Sequence, residues 1–98
     1  MIRTVPRTVA ELAATSNDWV VQRGTEYGRW LTAERVVERD GRKWRLGLTP
    51  TSTTLVAFML WLDDDELVAH ARGTEAQMCA LAHRQALGLS APATRDAP

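Results

Sequence analysis

The sequence predicts an α+β domain: an antiparallel β-meander of three to five strands, with a short N-terminal helix and a C-terminal helix packed on the sheet. Three observations carry this. Asp40-Gly41 lies between β-compatible segments and supplies the positive φ angles of a type I′ hairpin turn. The apolar run Leu55–Leu62 contains Val56, Phe58 and Trp61 and matches no helical stripe. Beyond Gly73, a segment with Ala76, Ala80, Ala82 and Ala86 is built from strong helix formers.

The elements follow in order. Thr8 begins a capping box, with its hydroxyl placed to accept from the N3 amide and Glu11 placed to reach back. Val9, Leu12 and Ala13 fall at i, i+3 and i+4, one apolar face of a helix over 8–14. Thr15-Ser16-Asn17-Asp18 reads as a loop and Trp19-Val20-Val21 as a short strand. Gly24 and Gly28 bracket a turn. From Arg29 to Arg39 helix and strand readings compete, and the Asp-Gly pair tips the balance to a hairpin returning through Lys43-Trp44-Arg45-Leu46. Thr32, Glu34, Val36 and Glu38 then share one side; Leu31, Ala33, Arg35, Val37 and Arg39 share the other. Thr49-Pro50-Thr51-Ser52 breaks the chain. A strand over 53–62 turns at Asp63-Asp64-Asp65-Glu66 into a strand over 67–72. Thr74 and Gln77 open the last helix, and Gly88 suits its end. On this helix Ala76, Ala80 and Leu87 share a face flanked by Cys79 and His83, with Met78 and Leu81 on the other side. One domain over 1–89 and a disordered tail over 90–98 are expected.

With 98 residues, 45% apolar and 24% charged, the chain has the means for one modest core. Cys79 is the single cysteine, so no internal disulfide forms and a reducing compartment is expected. The start of the chain lacks the apolar stretch of a secretory signal, and eight consecutive apolar residues cannot span a bilayer. A cytoplasmic protein without membrane contact is the expectation. Net charge is zero but unevenly spread. Residues 22–47 carry seven cations against four carboxylates, and residues 48–98 carry three against six. Such asymmetry permits a nucleic-acid face without establishing one.

Candidate chemistry is sparse. Cys79 and His83 stand at i, i+4, a spacing able to chelate zinc with His70, but a fourth ligand is missing; a buried thiol and two ordinary histidines are the simpler reading. Asp63–Glu66 lacks the arrangement of a calcium loop and reads as a solvated turn. No serine sits in a nucleophile elbow and no glycine-rich phosphate loop occurs. No enzyme activity, metal or cofactor is expected. The candidate binding residues are Arg29, Trp30, Arg35, Arg39, Arg42, Lys43, Trp44 and Arg45, where cations interleave with two of the four tryptophans. That pattern suits phosphate contact with base stacking, and equally arginines stacked on tryptophans at a solvent rim.

Thr8–Ala14 followed by Gly41-Arg42-Lys43-Trp44-Arg45-Leu46 resembles the opening helix and wing strand of excisionase-type winged helix-turn-helix proteins. The resemblance implies a DNA-recognition helix between them. The order helix, three strands, helix is similar to double-stranded-RNA-binding domains, although Thr74-Glu75-Ala76-Gln77 stands where their basic cluster begins the second helix.

The expectation for function is a small non-enzymatic binding protein, a protein-interaction or regulatory module acting through apolar and tryptophan surface. The alternative is a nucleic-acid-binding regulator using the basic hairpin. Leu55–Leu62 offers no polar residue to water on either face, so both of its faces need cover. A homodimer or a partner protein is therefore expected.

Overall fold

The computed structural model describes residues 5–23 and 31–90. The chain runs α1 (Val9–Ala14), β1 (Val20–Arg23), β2 (Leu31–Arg39), β3 (Arg42–Pro50), β4 (Val56–Leu62), β5 (Glu66–Gly73) and α2 (Glu75–Ser90). The five strands form one antiparallel sheet in the order β1-β2-β3-β4-β5, a simple meander. Five strands exceed the three of a double-stranded-RNA-binding domain. Strand β1 occupies part of the stretch where a winged-helix protein would carry its recognition helix.

Local chemistry explains the boundaries. Thr8 Oγ1 accepts from the Glu11 amide at 3.1 Å, as the capping pattern predicts. Glu11 reaches one residue further back than expected, accepting from the Arg7 amide at 2.8 Å. The Val9 amide donates instead to Glu75 Oε2 at 2.9 Å, so the first turn of α2 caps α1. At the β2–β3 turn Asp40 and Gly41 have φ of 56° and 75°, the paired positive values of a type I′ turn. Strand β4 begins at Val56 rather than residue 53. Ser52 Oγ accepts from the amides of Thr54 and Leu55 and ties residues 52–55 into a turn. Ser90 ends α2, and the tail expected beyond it lies outside the described residues, as does the turn bracketed by Gly24 and Gly28.

Both helices pack on the same face of the sheet. Beneath them lie Ala33, Leu46, Leu48, Val56, Phe58 and Leu60, closed by Val9, Leu12 and Trp19 on one side and by Met78, Cys79, Ala82 and Ala86 of α2. The α2 stripe is centred on Cys79 and Ala82, which leaves Leu87 facing solvent. Side chains alternate across β4: Val56, Phe58 and Leu60 are buried while Ala57, Met59 and Trp61 are only half-buried. The run that looked apolar on both faces is thus covered on one face alone among the described residues.

Candidate functional site

The register lays out the uncovered face. Val20 opposes Glu34, Glu34 opposes Gly47, Gly47 opposes Met59, and Met59 opposes His70. One residue pair nearer the Asp40–Gly41 turn, Val36, Arg45, Trp61 and Leu67 follow one another across four strands. A bulge at Leu60/Trp61 adds a residue to β5, and Leu67 and Val68 both remain exposed there. The row on the far side holds Thr32, Thr49, Ala57 and Arg72. Gly47 stands at the middle of this face, and a Cβ built there would meet nothing within 4 Å. Its missing side chain opens a shallow depression of about 400 Å³ among Val20, Glu34, Arg45, Met59 and Trp61. A second depression of about 580 Å³ adjoins it, with Met59 shared and Leu67, His70 and Arg72 around it. Val20, on the edge strand, and Val36 are 60% and 45% exposed on this face.

The basic hairpin is divided by the same alternation. Lys43 and Arg45 point to the uncovered face, whereas Arg35, Arg39 and Trp44 point to the helix side. Trp44 packs against the core. Arg35 lies over the Trp19 ring at 5.8 Å and donates to Ser90 Oγ at 3.1 Å. Arg39 donates to the Gly88 and Leu89 carbonyls at 2.7 and 3.0 Å, where the end of α2 presents unsatisfied acceptors. Arg29 and Trp30 lie outside the described residues. The described members of the expected cluster, Arg35, Arg39, Arg42, Lys43, Trp44 and Arg45, are therefore divided between the two faces and the hairpin tip.

The cations at the hairpin tip are matched by the acidic turn between β4 and β5. In a meander alternate turns share an end of the sheet, so Asp63-Asp64-Asp65 meets Arg42-Lys43. Arg42 Nε donates to Asp63 Oδ2 at 2.6 Å. The Lys43 amide donates to Asp63 Oδ1 at 2.9 Å, and its ammonium pairs with Asp64. Arg45 contacts Asp64 at 2.6 Å and Glu34 at 3.2 Å. The Lys43 amide and then the Arg42 guanidinium hold the Asp63 carboxyl below its ordinary range. The Lys43 ammonium does the same for Asp64, with Arg45 adding to it. These groups serve one another before they serve a ligand.

No group of residues with metal-ligand chemistry is assembled among the described residues. His70 sits on the uncovered face, while Cys79 is buried on the sheet-facing side of α2, across the sheet from it. Burial, and then the neighbouring Glu75 and Glu11 carboxylates, push the Cys79 thiol up to about 12. No described helix is long and apolar enough to cross a membrane. No protein-family model, curated protein or solved structure matches the chain.

The residues missed by the sequence reading are Met59, Trp61, Val36 and Gly47. Their signal was present in the pairing itself: once Asp40-Gly41 fixes the β2–β3 register, one face of the hairpin collects Val36, Arg45 and Gly47.

Proposed function

We propose that this chain is a small non-enzymatic binding protein, a protein-interaction module whose working surface is the helix-free face of its sheet. The observation that carries the reading is half-buried Met59 and Trp61, with exposed Val20 and Val36, on a sheet face that no described helix covers, beside Gly47 and the Glu34–Arg45 ion pair. Apolar surface of this kind on a sheet costs free energy in water and is the usual mark of an interaction site. Tryptophan and methionine are favoured at the centres of such interfaces. The nucleic-acid alternative has weaker support, since Arg42, Lys43 and Arg45 are already engaged by Asp63, Asp64 and Glu34.

A photo-crosslinking amino acid placed at Met59 in living cells, and separately at exposed Leu87 on α2, tests this. Protein adducts from position 59 in excess over position 87 are expected. Equal yields from both positions would refute the reading. Salt-sensitive retention on heparin that is lost on reversing Arg42 and Arg45 to Glu would favour the alternative.

A further inference from the structure

We draw no further inference here: the strongest candidate, the helix-free face of the sheet around Gly47, Met59 and Trp61, carries none because nothing in the structure shows what covers it.

Discussion

Phe58 and Met59 are neighbours in sequence and lie on opposite faces of β4, so truncating each in turn asks which face is the core. Phe58 is 1% exposed, flanked in the sheet by Leu48 and Ala71 and covered by the helix layer. Phe58→Ala removes a ring from a closed site, a change that costs ~3–5 kcal/mol including the cavity left behind. A domain of this size has a total stability of roughly 5–15 kcal/mol, so the loss is a large part of it. With a urea slope of about 1–1.5 kcal/mol per molar, the unfolding midpoint should fall by ~2–5 M. Met59 is half-buried on the uncovered face, and Met59→Ala should cost under ~1 kcal/mol. The assay is equilibrium urea unfolding followed by tryptophan fluorescence at submicromolar protein, where any pairing of copies contributes least. Equal midpoint shifts for the two variants, or a larger one for Met59→Ala, would refute the assignment of faces.

Four further outcomes are expected. The Cys79 thiol should react with a disulfide reagent at pH 8 roughly two or more orders of magnitude more slowly than in the unfolded chain, because it is buried and protonated; rapid labelling would contradict its place in the core. Its folded pKa is raised, so its contribution to stability is complete below the ordinary thiol range and declines as pH climbs toward about 12; Cys79→Ala should flatten that alkaline slope in thermal melts. Asp63 and Asp64 are depressed, so their contribution is present above the unfolded carboxylate pKa of ~3.9 and is lost as pH falls through the lower folded values. Replacing both by Asn should make acid unfolding less steep in that window, and identical acid profiles would show that the paired turns do not matter to stability. Glu75→Ala leaves the Val9 amide without its acceptor, and a loss of ~1–2 kcal/mol should lower the melting midpoint by about 5–10 °C. An unchanged midpoint would mean that water caps α1 equally well.

Most of the fold was legible because its signals are local. Asp40-Gly41 demands a tight hairpin, Thr8 caps the amide three residues on, and the alanine-rich segment after Thr74 has few alternatives to a helix. The candidate surface was much less legible because it depends on which groups become neighbours across the sheet. Seven cations between residues 22 and 47 permit a nucleic-acid face in the sequence without establishing one. The carboxylates that answer three of them are some twenty residues away in sequence and meet them only because alternate turns of a meander coincide. Arg35 and Arg39 were likewise absorbed by α2, whose end could not be positioned from sequence. The failure of Leu55–Leu62 to alternate was a second early trace of the uncovered face, beside the β2–β3 register: Met59 and Trp61 stand where a one-sided sheet would place polar residues.

The strand order also shapes how the chain assembles. Every strand neighbours the one before it, so each hairpin can close over a short loop with little entropic penalty, and pairing can follow the order of synthesis. Helix α2 is translated last among the described elements, and it is the main cover for Leu46, Leu48, Phe58 and Leu60. At ~5–20 residues per second its 16 residues take about 1–3 s to make. Through that interval the nascent sheet has only α1 over part of one face and nothing over the other, and has open strand edges, the state most prone to sticking to other unfinished chains. A chain stopped at Gly73 would remain in that state, so premature termination just before α2 should yield aggregate rather than a smaller folded domain.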